Sequence, residues 1–308
     1  MNPISIAIHG GAGNISKNQL SESREKAATE LLRKTLSSTY QMLRKNATAI
    51  EVVEHAVMLL EDDPLFNAGK GSVFNHLGKQ EMDAAIMDGR NLEAGAVANV
   101  KNVKNPIALA RLVMDKSEHV LLAGAGAEDF ARLVNCPFEA DSYFFDQLRY
   151  DQLQNIKDSD KSALDHSVNT DEKYGTVGAV AFDAYGNLAA ATSTGGMTNK
   201  KYGRIGDSPL IGAGTYANNK TCAVSCTGSG EYFIRSMAAI RLSCLMEYKG
   251  LDLQAASKEV IEKTIAGLGG SGGLIAVDTK GNIAMPFNTT AMYRGAVDGF
   301  GGEVVGVF

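Results

Sequence analysis

The sequence predicts an α+β fold in which two stacked, mainly antiparallel sheets are covered by helices. Strand-like runs lie near both ends of the chain, and long helical patterns lie between them. In addition, residues 178–189 and 273–284 share one pattern: an apolar run, an Asp-x-x-Gly-Asn turn and an apolar return. The same hairpin is therefore expected twice.

The first part of the chain begins with a short buried strand. Residues 4–8 are mostly apolar and run into a glycine-rich segment. Apolar side chains at helical spacing over residues 28–43 predict a helix. Thr48 and Glu51 form a capping-box pattern that begins a second helix, which is expected to end by residues 62–64.

The next segment consists of short elements. Residues 71–103 alternate and turn often, which predicts short strands. Asn105-Pro106 opens a helix that has proline in its first turn. A strand over residues 119–123 and a helix over residues 127–134 are expected to follow.

The second half begins with a polar, aperiodic stretch. From about residue 155 to residue 175, we expect an exposed flexible linker. A hairpin over residues 177–192 follows directly. Two long helical patterns then occupy residues 231–248 and 252–266, before the second copy of the hairpin.

The composition excludes several classes of function. The 308 residues are 44% apolar, enough for a substantial core in one large or two small domains. The net charge is −5 and no basic block occurs, so neither nucleic acid nor an anionic membrane is expected as a partner. No stretch is long and apolar enough to span a membrane, and no secretory signal is evident, so a cytoplasmic location is expected. The four cysteines and five histidines are scattered, which disfavours disulfides and zinc.

Glycine-rich patterns resemble parts of other enzymes but fail on their context. Residues 9–12 resemble an oxyanion-hole loop, and residues 269–273 match G-x-S-x-G, the nucleophile elbow of α/β-hydrolases. The elbow needs a strand before the serine and a histidine after it, yet a helix precedes this serine and His166 is the last histidine. Residues 124–129 resemble a dinucleotide loop, but Asp129 replaces the third glycine, so a tight strand-to-helix turn is expected.

The pair Gly175-Thr176 is the strongest candidate for chemistry. A threonine hydroxyl needs a base, and the α-amine of an N-terminal threonine, with a pKa of about 7.7–8, can serve as one. An internal threonine becomes N-terminal only by cleavage. Gly175 follows the linker and tolerates strained backbone angles, and Thr176 begins a buried strand, so self-cleavage between the two residues is expected.

Three later segments supply groups that such a nucleophile needs. Residues 192–199 bring several hydroxyls onto the return strand of the hairpin beside Thr176. Residues 204–209 place an arginine and an aspartate on one loop, either as a substrate clamp or as a surface ion pair that closes a turn. Residues 226–231 end a strand and begin a helix, where backbone N–H groups can stabilise an oxyanion.

Together these motifs resemble the plant-type L-asparaginases and isoaspartyl peptidases, which are N-terminal-nucleophile (Ntn) hydrolases. The resemblance covers nearly the whole chain and rests on HGGAG (9–13), PLFNAG (64–69), MDG (87–89), GTVGAV (175–180), ATSTGGMTN (191–199), GRIGDSP (203–209) and TGSG (227–230). It implies a four-layer αββα sandwich in a single domain, residues 1–308. It also implies a precursor that is cut into an α subunit, 1–175, and a β subunit, 176–308, and a homodimer of the cleaved protomers.

The resemblance implies a role for each residue of the site. Thr176 would be the nucleophile, its freed amine the base, and Thr194 its hydrogen-bond partner. Arg204 would hold the α-carboxylate of the substrate, a bidentate task that suits a guanidinium group, and Asp207 would hold the α-ammonium. The residues that form the oxyanion hole and shape the pocket would be Thr227, Gly228 and Gly230.

Other residues would support the site in the same family. The supporting positions are Asn67, Gly10 and Gly11. No cofactor is expected for catalysis. One loop resembles the family's sodium-binding loop, where a structural sodium ion would be held by the backbone carbonyls of Leu60, Glu61, Asp63, Phe66, Ala68 and Lys70.

The expected activity is hydrolysis of isoaspartyl (β-aspartyl) dipeptides and L-asparagine to release L-aspartate, through an acyl-enzyme on Thr176. Both substrates have free charged α-groups and a scissile amide on the side chain, so one clamp fits both. Two alternatives stay open at this point. One is a glycosylasparaginase, which cuts the bond between sugar and asparagine, and the other is a non-catalytic ligand-binding protein that never cleaves itself.

Overall fold

The strands form two sheets within the parts of the chain that the computed structural model describes, residues 3–15, 20–157 and 175–308. They are β1 (Ser5–Gly13), β2 (Met82–Asp88), β3 (Ala94–Val100), β4 (Leu121–Ala123), β5 (Val177–Phe182), β6 (Leu188–Thr194), β7 (Thr215–Ala217), β8 (Cys222–Gly228), β9 (Gly272–Asp278), β10 (Ile283–Ala284), β11 (Ala291–Val297) and β12 (Glu303–Gly306). The larger sheet has the order β12-β11-β1-β5-β6-β2-β3-β4, and the smaller one β10-β9-β8-β7. Within the described residues only β3 and β4 pair in parallel, so the sheets are mainly antiparallel as predicted.

The helices of the described residues lie between the strands in the chain. They are α1 (Glu22–Arg44), α2 (Ala49–Glu61), α3 (Pro106–Lys116), α4 (Gly124–Leu133), α5 (Asp141–Phe144), α6 (Gln147–Lys157), α7 (Gly230–Ser236), α8 (Ala238–Lys249) and α9 (Leu253–Lys258), which continues into a π-helical segment (Glu259–Ile265). The predicted start of α2 is confirmed, because the backbone N–H of Thr48 donates to the Glu51 carboxylate over 2.9 Å. Helix α3 has its proline in the first turn, also as predicted.

Four layers result from this arrangement. Helices α1, α2 and α3 pack on one face of the larger sheet, the smaller sheet packs on its other face, and α8, α9 and the π-helical segment cover the smaller sheet. Strand β5 shows why its sequence is apolar throughout: Val177 and Ala179 face the helices, whereas Val180 and Phe182 face the other sheet. The predicted αββα sandwich is confirmed.

The two hairpins lie where the repeat predicts them. In the first turn, the Asp183 carboxylate accepts hydrogen bonds from the backbone N–H groups of Tyr185 and Asn187, both over 2.9 Å. In the second turn, Asp278 accepts the equivalent bonds from Lys280 and Asn282, over 2.8 and 2.9 Å. The Asp-x-x-Gly-Asn sequence therefore builds the same turn twice.

Two predicted boundaries are wrong. The helical pattern over residues 231–248 is broken at Met237, which adopts a left-handed conformation (φ 50°, ψ 54°) between α7 and α8. The first N–H groups of α8 donate instead to carbonyls of the loop at residues 212–213, a tertiary contact that overrides the local pattern. The linker was expected from about residue 155, but α6 continues to Lys157 and buries Ile156. Residues 158–174, the remainder of the predicted linker before Gly175, lie outside the described residues.

Candidate active site

The site is centred on Thr176, which directly precedes β5 in the middle of the larger sheet. The register pairs Val177 with Ser193, so Thr176 lies beside the end of β6. There its hydroxyl donates to the hydroxyl of Thr194 over 3.0 Å. The Thr194 oxygen also accepts the backbone N–H of Gly196 over 3.0 Å, which fixes its position. The hairpin thus joins the two predicted threonines.

The peptide bond before Thr176 is tightly enclosed. The carbonyl of Gly175 accepts the backbone N–H of Asn67 over 3.3 Å. Gly11 has φ +110°, and a Cβ on it would lie 2.5 Å from both the Cα and the N of Gly175. Only glycine at position 11 allows the two backbones to come this close. The N–H of Asn67, which can polarise the carbonyl, and the close backbone of Gly11 therefore both lie at the predicted cleavage point.

The side chain of Asn67 organises the loop beyond β6. Its Nδ2 donates to the Gly196 carbonyl over 2.8 Å, and its Oδ1 accepts the Val73 N–H over 3.0 Å. Its backbone carbonyl accepts the N–H of Gly195 over 3.1 Å. Gly10 supports the same loop from β1, because a Cβ there would overlap the Phe66 ring. The supporting residues predicted from the sequence are thus in contact with the elements of the site.

The predicted oxyanion residues end β8 and begin α7. The Thr227 hydroxyl accepts the N–H of Ala12 over 3.3 Å, which leaves its own proton free to donate. Gly228 has φ +144°, and a Cβ there would overlap the carbonyl oxygen of Ser271. A Cβ on Gly230 would lie 2.9 Å from Arg204 Nη2. Glycine is therefore needed at position 228, where the backbone passes close to Ser271, and at position 230 it leaves room for the side chains of Arg204 and Asp207.

The two charged residues of the predicted clamp have different surroundings. Arg204 donates from Nε and Nη2 to the two carboxylate oxygens of Glu231, over 2.9 and 3.0 Å. Asp207 is buried, and its Oδ2 has no hydrogen-bond partner within the described structure. Burial raises the pKa of Asp207 to about 7, although the nearby Arg204 opposes this shift. The alternative of a surface ion pair between these two residues is therefore wrong.

Most of the predicted site residues line one small cleft. The lining side chains and backbone come from Asn67, Gly175, Thr176, Thr194, Gly196, Met197, Arg204, Gly206, Asp207, Ser208 and Gly228. Thr227, Gly230, Gly10 and Gly11 support this lining from neighbouring positions. The structure therefore brings together a hydroxyl, a carboxylate with one unpartnered oxygen and a guanidinium group, which suits a small substrate with charged α-groups.

Sequence reasoning missed two residues in contact with the site. Glu231, one position after Gly230, binds the guanidinium of Arg204. Its place as an acidic residue in the first turn of α7 was a signal that could have identified it. His9 lies in β1 with its Nδ1 2.9 Å from the Thr176 carbonyl. The motif HGGAG (9–13) contains His9, but its pattern gives the histidine no role, because the partners of the ring lie far away in the sequence. Burial lowers the pKa of His9 to about 3, so the ring is neutral.

The competing motifs are excluded by their context. Ser271 follows a helical segment and precedes β9, the reverse of a nucleophile elbow. Helix α4 begins at Gly124 directly after β4, as the tight turn predicted there requires. Cys222 and Cys226 are buried in β8, as expected for small hydrophobic residues. Among the described residues, no group of His, Cys, Asp or Glu could hold a metal ion, and no helix is long and apolar enough to cross a membrane.

Comparison with known proteins places this site within a family. The family model described as "Asparaginase" matches residues 1–307, and the chain belongs to that family of hydrolases. The isoaspartyl peptidase of Salmonella typhimurium is 52% identical over 297 residues, which cover 96% of this chain and 95% of that protein. The isoaspartyl peptidase of Escherichia coli is 52% identical over 292 residues (94% and 91%), and the plant-type L-asparaginase of Pyrococcus abyssi 44% over 299 residues (94% of each).

Proposed function

We propose that this protein is a self-cleaving amidohydrolase of isoaspartyl dipeptides and L-asparagine, which releases L-aspartate through an acyl-enzyme on Thr176. The observation that carries the proposal is the Thr176 hydroxyl, 3.0 Å from Thr194 and directly after Gly175, in a cleft that also contains Arg204 and Asp207. The names of the relatives, isoaspartyl peptidase and L-asparaginase, support it.

Maturation would begin with attack of the Thr176 hydroxyl on the carbonyl of Gly175. The Asn67 N–H that already contacts this carbonyl would stabilise the negative charge that develops on its oxygen. Hydrolysis of the resulting ester would give residues 1–175 and 176–308. The freed α-amine of Thr176, with a pKa of about 7.7–8, would then be partly neutral near pH 7 and could act as the base.

Substrate binding would use both charged residues of the cleft. The Nε–Nη2 edge of Arg204 is occupied by Glu231, which leaves Nη1 and the second proton of Nη2 to donate to the substrate α-carboxylate. The substrate α-ammonium would supply the missing partner of Asp207 Oδ2. Because burial of this carboxylate is costly without a partner, its charge favours a cationic ligand strongly.

Hydrolysis would then proceed in two steps. The Thr176 Oγ attacks the side-chain carbonyl of the substrate, while the amine takes the hydroxyl proton and passes it to the leaving amine. The Thr227 hydroxyl and the Gly228 N–H would stabilise the tetrahedral oxyanion. Water activated by the same amine then cleaves the ester and releases L-aspartate.

A structural sodium ion is proposed for the loop after α2. A Cβ on Gly69 would lie 2.5 Å from the Glu61 carbonyl, and a Cβ on Gly71 would overlap the Phe66 carbonyl, so two glycines keep space clear among backbone oxygens. The ion would be held by these two carbonyls and by those of Leu60, Asp63, Ala68 and Lys70. It would stiffen the loop that carries Asn67. A higher melting temperature in NaCl than in choline chloride of equal ionic strength would support the site.

A homodimer of cleaved protomers and a cytoplasmic location are also proposed. The dimer rests on the resemblance to the family, and the location rests on the four cysteines, which are free thiols in the structure. Light scattering of the purified protein tests the dimer, and fractionation of the producing cells tests the location.

Two measurements test the proposed function. The mass spectrum of the purified protein should show fragments 1–175 and 176–308, the second beginning with threonine, whereas a ligand-binding protein would remain one chain of 32.6 kDa. In competition at equal concentrations, β-aspartyl-leucine should be cleaved faster than N-acetylglucosaminyl-asparagine. Both present the same α-groups to the clamp, so faster release of the sugar amine would assign the protein to the glycosylasparaginases.

A further inference from the structure

A chain of four buried side chains leads from the interface between the sheets to the nucleophile. Its members are His9 in β1, Ser225 in β8, Thr192 in β6 and Thr215 in β7, all fully buried. His9 Nε2 lies 2.9 Å from the Ser225 hydroxyl, which lies 2.7 Å from that of Thr192. The Thr215 hydroxyl lies 2.7 Å from that of Thr192. Each of these three links joins one sheet to the other.

The hydrogen bonds of this chain can run in only one direction. A carbonyl oxygen only accepts, so His9 Nδ1 must donate to the Thr176 carbonyl. In a neutral imidazole the other nitrogen then accepts, so Ser225 must donate to Nε2. Each hydroxyl has one proton, so Thr192 must donate to Ser225. The Thr192 oxygen can then accept from Thr215, whose single proton is shared between Thr192 and the Ser208 carbonyl. The protons of Thr192, Ser225 and His9 therefore all point toward Thr176.

This direction matters after cleavage. In the intact chain, the peptide bond to Gly175 holds Thr176 from one side and β5 holds it from the other. Cleavage removes the first constraint, and the hydrogen bond from His9 to the Thr176 carbonyl then remains as the nearest anchor of its backbone. The rotation about the Cα–C bond of Thr176, which orients both the amine and the hydroxyl, depends on where this carbonyl is held.

We propose that His9, oriented by the Ser225–Thr192–Thr215 chain, is the positioning residue that holds the mature nucleophile. The inference rests on the proposed function and adds a residue that does not touch the substrate. The far end of the chain supports this role, because the Thr215 hydroxyl also lies 3.0 Å from the carbonyl of Ser208, next to Asp207. One buried network thus connects the backbone of the nucleophile with the loop that binds the substrate.

The test removes one hydroxyl from the hydrogen-bonded chain and puts a side chain of nearly the same shape in its place. Thr192→Val removes the hydroxyl, whereas Thr192→Ser keeps it. The matched control is Ser243→Ala, which breaks another buried hydroxyl pair, with Thr221 at 2.6 Å, away from the cleft. For β-aspartyl-leucine, Thr192→Val should lower kcat roughly tenfold and change KM less than about twofold, because Thr215 still donates to the Ser208 carbonyl and the clamp loop is unchanged.

Two further readouts separate positioning from general damage to the structure. Self-cleavage of Thr192→Val should proceed within about twofold of the parent rate, because the peptide bond still holds Thr176 at that stage. Thr192→Ser should restore kcat. In addition, imidazole nitrogen NMR, assigned with His9→Gln, should show the His9 ring of the parent protonated on Nδ1 only.

Several outcomes would overturn the inference. These are a kcat of Thr192→Val equal to that of Ser243→Ala, a loss confined to KM, no rescue by serine, or a His9 ring protonated on Nε2. If Thr192→Val fails to fold, Ser225→Ala removes the next link and should give the same split between kcat and KM. If the parent hydrolyses β-aspartyl-leucine and the variants do so equally well, only the role of His9 is overturned. If the parent does not hydrolyse it, the proposed function is overturned as well.

Discussion

The two hairpins of this chain have the same turn but different surroundings. The β5–β6 hairpin lies inside the larger sheet, flanked by β1 and β2, whereas the two-residue strand β10 puts the β9–β10 hairpin at an edge of the smaller sheet. The sequence repeat aligns Thr176 before β5 with Ser271 before β9. Both positions therefore carry a hydroxyl at the entrance to a buried strand.

Only the first of these hydroxyls has partners suited to a nucleophile. Thr176 meets Thr194, follows Gly175 and is held by His9. The Ser271 hydroxyl instead lies 3.4 Å from that of Ser229, and the Ser271 carbonyl accepts the N–H of Ser229 over 2.9 Å. Ser271 therefore supports the turn that follows Gly228. The comparison shows that the hairpin only places a hydroxyl before a buried strand. The neighbouring elements determine whether that hydroxyl can react.

The largest expected effect comes from replacing each of these two residues by alanine, which removes its hydroxyl. Thr176→Ala should abolish self-cleavage and lower hydrolysis by more than about 1,000-fold, because it removes the group that attacks in both reactions. Ser271→Ala keeps the carbonyl that Ser229 needs and should leave both reactions near the parent level. Denaturing gels and kcat/KM for β-aspartyl-leucine measure the difference. Efficient cleavage in Thr176→Ala would mean that another residue attacks.

The second hairpin should matter through the backbone of Gly228. Gly228→Ala places a Cβ against the Ser271 carbonyl and should move the oxyanion donor, with a loss of roughly 100-fold in kcat. Gly267→Ala is the matched control, because a Cβ at that position meets nothing within 4 Å. Equal kcat values for the two variants would remove Gly228 from the oxyanion hole.

The loop after the first hairpin should separate binding from self-cleavage. Arg204→Ala should lower kcat/KM for asparagine roughly 100-fold, since charge-assisted hydrogen bonds contribute about 1.5–3 kcal/mol each. The variant should still cleave itself, because no substrate carboxylate takes part in that step. Arg235→Ala, a neighbouring arginine that stacks on Tyr232, provides the control. A kcat/KM unchanged in Arg204→Ala would contradict the clamp.

The pH dependence of activity tests the second half of the clamp. The pKa of Asp207 is raised by burial to about 7, so the carboxyl of the free enzyme becomes neutral as the pH falls through that value. A neutral acid no longer attracts the substrate α-ammonium, and the Thr176 amine must also be deprotonated, so kcat/KM of the parent should fall by about 100-fold per pH unit well below pH 7. Asp207→Asn should be less active, and its profile should fall by only about tenfold per pH unit, because the amine alone still titrates. A parent kcat/KM that stays level between about pH 5 and 7 would contradict the assignment.

The smallest expected effect is a difference in stability between variants of the two hairpin turns. Asp183 accepts from the N–H of Ala49 as well as from its own turn, and so links the first hairpin to the start of α2. The third partner of Asp278 is the side chain of Asn282, within the same turn. Asp183→Ala should therefore lower the free energy of unfolding by about 1 kcal/mol more than Asp278→Ala, as measured by urea denaturation. Equal losses would show that the link to α2 is not stabilising.

The sequence predicted those features that depend on neighbouring residues. The capping box at Thr48 and the paired hairpin turns are local patterns, and both are confirmed. The break at Met237 was missed because the carbonyls that capture the first turn of α8 come from a loop about 25 residues earlier in the chain. The partners of His9 were missed for the same reason, since Thr176 and Ser225 come from distant parts of the chain. The roles of individual site residues stay predictions that the variants above test.

Cleavage after Gly175 would divide the larger sheet in an unusual manner. Strands β1, β2, β3 and β4 precede the cut, whereas β5, β6, β11 and β12 follow it. Across the sheet the two fragments interleave: β12 and β11 come from the second, β1 from the first, β5 and β6 from the second, and β2 to β4 from the first. Neither fragment can leave without breaking backbone ladders in the middle of the sheet, so subunit dissociation and unfolding would be a single event.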